Sequence, residues 1–191
     1  MSSYQNYFTK YQISVAQILL TGSESAERDK YLNAKNTFNT LLKNKIIPIV
    51  NENDTITTEE IKIGDNDRLA ARVAQMTDAN LLILFSDIAG LYDSNPKINK
   101  DAKFIPLVEK ITEEIEMMAS GSISAFGTGG MATKISAARM ASNSNCDTII
   151  ANGTVNNPIQ KLISSGRCTI FKSSNKKISS RKKWIIDCLV P

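Results

Sequence analysis

The chain has no histidine, and its three cysteines, Cys146, Cys168 and Cys188, stand far apart with no CxxC spacing. Those shortages exclude a zinc site of the usual kind and any catalytic triad built on imidazole, and they point to a reducing, cytoplasmic setting. Long hydrophobic runs are also missing: the apolar stretches reach only about eight residues, where a membrane-crossing helix needs about twenty. The N-terminus, MSSYQNYFTK, lacks the apolar core of a secretory signal. A formal charge of +4 suggests nucleic acid at first sight, but the excess is concentrated in the last twenty residues and so describes a tail and not a face. What is present is ordinary: 191 residues with 42% hydrophobic and 22% charged side chains, enough for one domain with a real core.

The most informative stretch is residues 46–67. The apolar run Ile46, Ile47, Pro48, Ile49 and Val50 reads as a buried strand, and it feeds into Asn51, Glu52, Asn53 and Asp54, which cannot continue a core. Strand ends of this kind are where α/β sheets place ligand groups. A second polar cluster, Gly64, Asp65, Asn66 and Asp67, precedes Leu69, Ala70, Ala71, Val73 and Ala74, so Asp65 or Asp67 stands where a helix cap belongs. Asn, Asp and Gly are the ordinary residues of turns and caps, and either cluster alone reads as structural. Together they could converge on one small polar ligand.

Along the chain, helical and strand periodicities alternate. Tyr4, Tyr7, Phe8 and Tyr11 lie at helical spacing and read as a packing stripe, and residues 13–20 read as a strand. Residues 25–44 repeat Tyr31, Ala34, Phe38, Leu41 and Leu42 as an amphipathic helix with a basic last turn. Residues 81–85 form an unbroken apolar run ending in Ser86 and Asp87, the pattern of a strand covered on both faces with polar groups at its end. Residues 88–96 read as a loop by their Gly, Asn and Pro content, packing its apolar side chains over the strand ends, and 97–103 continue it. Helices are expected at 111–119, 131–142 and 158–164, and strands at 147–151 and 169–171. This alternation argues for an α/β protein with a largely parallel sheet.

In the stretch Gly127, Thr128, Gly129, Gly130, Met131, Ala132, Thr133, Lys134, glycines can expose backbone N–H groups to an anion, the helix that follows offers its positive end, and Lys134 lies one turn inside it. It is not a Walker A loop, because neither the spacing nor the Ser or Thr after the lysine is there. A phosphate site and a flexible glycine loop with a solvated lysine are both open on this stretch alone.

VNEND, IKIGDNDRLAA, LLILFSDIAGLYDSNP, GTGGMATK and IIANG occur in this order, and by these motifs the chain resembles the bacterial glutamate 5-kinases of the amino acid kinase family along nearly its whole length. The resemblance implies a three-layer α/β/α sandwich with a largely parallel sheet. It also implies transfer of the ATP γ-phosphoryl group to the side-chain carboxylate of L-glutamate, the first step of proline biosynthesis. Asn51, Asp54 and Asn66 would contact glutamate, with Asp65 close by; amides can serve its ammonium and carboxylates, and Asp54 can pair with the ammonium. Ser86 and Asp87 would lie at the nucleotide, and Thr128, Gly129, Gly130, Met131, Ala132, Thr133 and Lys134 over its phosphates. Lys134 would stabilise charge on the transferring phosphoryl group, and Asp67 would hold the lysine. A carboxylate is already an ionised nucleophile, so no general base is required, and Mg²⁺ would sit on the phosphates without a dedicated protein metal site. Homo-oligomers and a hand-off of the acyl phosphate to glutamate-5-semialdehyde dehydrogenase are usual in such kinases.

The resemblance further leads one to expect a strand with a second catalytic lysine, a Gly-Ser-rich phosphate loop and a Ser-Gly-Ala turn before Met1, so residues 1–172 read as a partial kinase domain, incomplete at its N-terminus. Residues 173–191 read as a basic tail or linker toward a PUA domain. On that expectation the chain alone is a weak kinase or none, since one phosphate-neutralising lysine is of the class worth about 3 to 4 kcal/mol. A non-catalytic remnant or half-enzyme that binds nucleotide or glutamate and needs a separate N-terminal fragment is the alternative. Nucleic-acid binding by Lys172, Lys176, Lys177, Arg181, Lys182 and Lys183 with Trp184 is a third reading, although such a tail is more often a solvated linker.

Overall fold

The computed structural model describes residues 1–21, 27–53, 65–120 and 130–173. The chain forms two compact units, Met1–Ile61 with Ser180–Pro191, and Lys62–Ser179.

The first unit contains α1 (Ser2–Thr9), β1 (Val15–Leu20), α2 (Arg28–Lys43) and β2 (Ile47–Glu52). The two strands pair in parallel, from Val15 opposite Ile47 to Leu20 opposite Glu52. Helix α2 buries Tyr31 and Phe38, two turns apart, with Phe38 0% exposed, while Asp29 in its first turn and Lys43 in its last suit the helix dipole. The helix stops because Lys45 turns left-handed (φ 59°) and the Ile46 N–H bonds back to the Leu41 carbonyl at 2.9 Å, which sends the chain straight into β2. The expected packing stripe on α1 is not one: Tyr4, Tyr7 and Tyr11 are exposed and the helix buries no residue. Helical spacing places those rings on one face but supplies no partner for it, and Tyr11 lies beyond the helix end, so the tyrosines keep their hydroxyls in water.

The second unit contains α3 (Asp65–Met76), β3 (Leu81–Ser86), β4 (Leu91–Tyr92), β5 (Phe104–Ile105), β6 (Leu107–Val108), α4 (Glu113–Ser120), α5 (Met131–Ser142), β7 (Asp147–Asn152), α6 (Pro158–Ser165) and β8 (Cys168–Phe171). Its main sheet has the order β3-β7-β8-β6, with β3/β7 and β6/β8 parallel and β7/β8 antiparallel. The core gathers Ala71, Leu84, Leu91, Ile135, Ile150 and Phe171. Small residues let α3 and α5 approach closely: Ala71 and Ala74 on one helix and Ala137, Ala138 and Ala141 on the other are buried. Between them the buried Gln75 donates from Nε2 to the Met140 carbonyl at 2.9 Å, a directional bond beside the alanine packing.

Three expectations are corrected here. Strand β3 is not covered on both faces: Leu84 is buried, but Leu81 and Phe85 are 47% and 38% exposed, because the core packs on the side that carries Leu82 and Leu84. Residues 88–103 are not simply loop, since β4 lies among them and pairs antiparallel with β5, closed by the Asp93 N–H on the Lys103 carbonyl at 3.0 Å. Two-residue strands carry no periodic signal, and a turn built on Asn95, whose Oδ1 accepts the Lys97 N–H, dominates the composition between them. Asp67 is not a cap; it is the third residue of α3, and its carboxylate reaches across to α5. Among the described residues, no helix is long and apolar enough to cross a membrane, and Cys146 and Cys168 are buried and form no disulfide. Residues 174–191, which hold the rest of the basic tail, lie outside the described residues.

Candidate active site

Helix α5 begins at Met131 behind Gly130, which has no side chain with which to cap it. One turn in, Lys134 does not reach for solvent. The residue is 9% exposed, and its Nζ lies 3.0 Å from Asp67 Oδ2. Thr133 Oγ1 lies 2.8 Å from that same oxygen and 2.9 Å from the Gly130 carbonyl. The hydroxyl has one proton, and an ionised carboxylate is the stronger acceptor. Asp67 therefore gathers two donors from α5, and the alanine packing of α3 on α5 sets the distance.

Parallel pairing places Ser86 beside Asn152 at the ends of β3 and β7. Ser86 Oγ donates to Asp87 Oδ1 at 3.1 Å, and Lys97 Nζ lies 3.3 Å from Asp87 Oδ2. Burial by itself would raise the Asp87 carboxyl, but the hydrogen bonds from Lys97 and Ser86 and the lysine's charge outweigh it and hold the group below its ordinary value. A cavity of about 180 Å³ opens between Ser86, Asp87, Tyr92, Lys97, Met131 and Lys134. An adjoining hollow of about 370 Å³ shares Asp87 and Tyr92 and extends to Asn152, Lys161 and Arg167. Two lysines, a helix N-terminus and apolar walls around one opening suit a ligand with an anionic end and a flat apolar end.

Of the residues singled out in the sequence, Lys134, Asp67 and Thr133 are brought into contact, and Gly130, Met131, Ser86 and Asp87 line the cavity beside them. Ala132 points outward. Asn66 is exposed in the first turn of α3, and Asn51 is exposed on β2 of the first unit, opposite Leu19. Asp54, Thr128 and Gly129 lie outside the described residues, as does the side chain of Asp65. The alternative of a solvated lysine does not hold for Lys134. Tyr92 and Lys97 line the cavity without having been singled out; the aromatic in a loop expected over the strand ends hinted at the first, and nothing in the pattern marked the second.

An α/β chain that sets a buried lysine and its aspartate at a helix N-terminus beside two parallel strand ends belongs, by its sequence, to the amino acid kinase family, whose pattern matches residues 1–152. Among curated proteins it is 51% identical over 191 residues to the glutamate 5-kinase of Pelagibacter ubique, which covers 100% of this chain and 52% of that protein. It is 48% identical over 189 residues to the glutamate 5-kinase of Paramagnetospirillum magneticum, covering 99% and 51%. The chain thus spans about half the length of the curated relatives it matches. Among solved structures, UMP kinase from Ureaplasma parvum superimposes with a TM-score of 0.60 at 17% identity, over 90% of this chain and 65% of that one. An isopentenyl phosphate kinase gives 0.59 at 16%, over 90% and 64%. These likenesses show the fold, the α/β architecture with largely parallel strands expected from the sequence.

Proposed function

We propose that this chain carries the phosphoryl-transfer machinery of a glutamate 5-kinase and moves the γ-phosphoryl group of ATP to the side-chain carboxylate of L-glutamate. The observation that carries the reading is the buried Lys134, held by Asp67 at the start of α5 and facing the same cavity as Ser86 and Asp87. A lysine fixed in this way meets developing negative charge without having to reorganise, which is the main means of catalysis open to a reaction whose nucleophile is already ionised. The phosphates would lie against the N–H groups of α5 and Lys134, and the base and ribose against Tyr92 and the adjoining hollow. Asn51, Asp54, Asp65 and Asn66 are proposed for glutamate by their place in the motifs.

A Mg²⁺ ion carried on the nucleotide's phosphates belongs to the same reading. When bound, it would neutralise phosphate charge. A cytoplasmic location, assembly with further copies and delivery of the acyl phosphate to a reductive dehydrogenase belong to the same proposal.

The test is formation of γ-glutamyl hydroxamate from ATP, Mg²⁺ and hydroxylamine, with aspartate as control. A glutamate-dependent signal, weak for this chain by itself and lower by about a hundredfold or more in Lys134→Met, is expected. Equal signals from glutamate and aspartate, or an unchanged Lys134→Met, would contradict the reading; a folded chain that binds MgATP without any signal would reduce it to a nucleotide-binding module.

A further inference from the structure

Thr169, in the middle of β8, is 0% exposed, and its hydroxyl does not serve its own sheet. Oγ1 lies 2.7 Å from the Leu91 backbone N and 2.6 Å from the Ile105 carbonyl oxygen. Leu91 and Ile105 face each other across the β4/β5 pair. A hydroxyl offers both a lone pair and a proton, so it accepts from Leu91 and donates to Ile105 at once, bridging both strands of the hairpin to the main sheet. The approach requires the glycine before Leu91: a Cβ on Gly90 would stand 2.4 Å from Thr169 Oγ1 and 2.9 Å from the Thr169 backbone N. From Leu91 the chain runs through Tyr92 to Pro96 and Lys97, one wall of the cavity that faces Lys134.

We propose that Thr169 is a positioning residue for the nucleotide: through its hydroxyl it sets where the β4/β5 hairpin sits, and so where Tyr92 and Lys97 stand over Ser86 and Asp87. The proposal rests on the nucleotide reading of this cavity. The Arg167 guanidinium, just before β8, stands 5.6 Å from the Phe104 ring and so meets β5 alone, whereas the Thr169 hydroxyl meets both strands. Removing the hydroxyl deprives the buried Leu91 N–H and the part-buried Ile105 carbonyl of it, and the Leu91 N–H recovers a partner only if the hairpin shifts or opens.

The test compares Thr169→Val, which keeps the shape and loses the hydroxyl, with Thr169→Ser, which keeps the hydroxyl. In the full chain without nucleotide, the Leu91 amide of Thr169→Val is expected to exchange about tenfold faster or more than in the unchanged protein, with Thr169→Ser close to it. MgATP affinity, measured by calorimetry, is expected to fall about tenfold in Thr169→Val and to be rescued by Thr169→Ser. Unchanged Leu91 exchange in Thr169→Val overturns the proposal, as does unchanged MgATP affinity, or a Thr169→Ser that behaves like Thr169→Val. If the unchanged chain binds no MgATP, the nucleotide reading fails and the positioning role falls with it, while the exchange comparison still decides whether the hydroxyl holds the hairpin.

Discussion

Lys134 and Asp67 each gave up water for the other, with side chains only 11% and 17% exposed. An ion pair in that setting is costly to break from one side, because the survivor is left charged and poorly hydrated. Lys134→Met is therefore expected to destabilise the protein by about 3 to 5 kcal/mol in denaturant unfolding. The double variant Lys134→Met with Asp67→Asn should lose much less than the sum of the two single losses, and simple additivity would show that the pair is not coupled. At this scale the sequence was legible where residues came as a motif. Lys134, Thr133 and Asp67 stood out by their neighbours along the chain, although the partnership of residues so far apart in sequence is made only by α3 packing on α5. Thr169 and Lys97 gave no such sign, since their roles depend on what lies across space from them.

Helices and longer strands were readable because amphipathic spacing and apolar runs leave a period in the sequence, and residues 131–142 match α5 end to end. The β4/β5 pair was not, because its strands are two residues long and tied by the Thr169 hydroxyl and the Asn95 turn more than by pattern. Close approaches between elements are equally silent until the fold is known. A Cβ on Gly153, just past β7, would lie 2.6 Å from the Phe85 Cβ on β3. Neither atom can rotate away, so Gly153→Ala is expected to cost about 1 to 3 kcal/mol, measured as a lowered unfolding midpoint, despite the partial exposure of Phe85. On α2, Phe38→Ala empties a fully buried site and is expected to cost about 3 to 5 kcal/mol. An effect below about 1 kcal/mol there would mean that the helix does not dock through that ring.

For the molecule as a whole, acid is the informative stress. In Asp147 burial alone would raise the carboxyl, but bonds from the Ser173 N–H and side chain and from Lys172 hold it below the ordinary 3.8. Asp87 is held down in the same direction. Carboxyls with depressed folded values add stability that is complete above about pH 3.8 and lost as the pH falls through the folded values. Melting temperature should thus be nearly flat with respect to these groups above pH 5 and decline below about pH 4, with little of the decline due to the largely exposed Asp87 and with the decline blunted in Asp147→Asn. The fold class was legible at this scale from the alternation of elements, whereas the division into two units was not, because no composition shift marks the chain near Ile61. The central claim, that Lys134 and the start of α5 form the phosphate end of a nucleotide site, is tested most directly by calorimetric titration of MgATP into the unchanged chain and into the Lys134→Met, Asp67→Asn double variant, which avoids leaving either charge unpaired. The account predicts saturable binding by the first and at least about tenfold weaker binding by the second; equal affinities, or no binding by the unchanged folded chain, would contradict it.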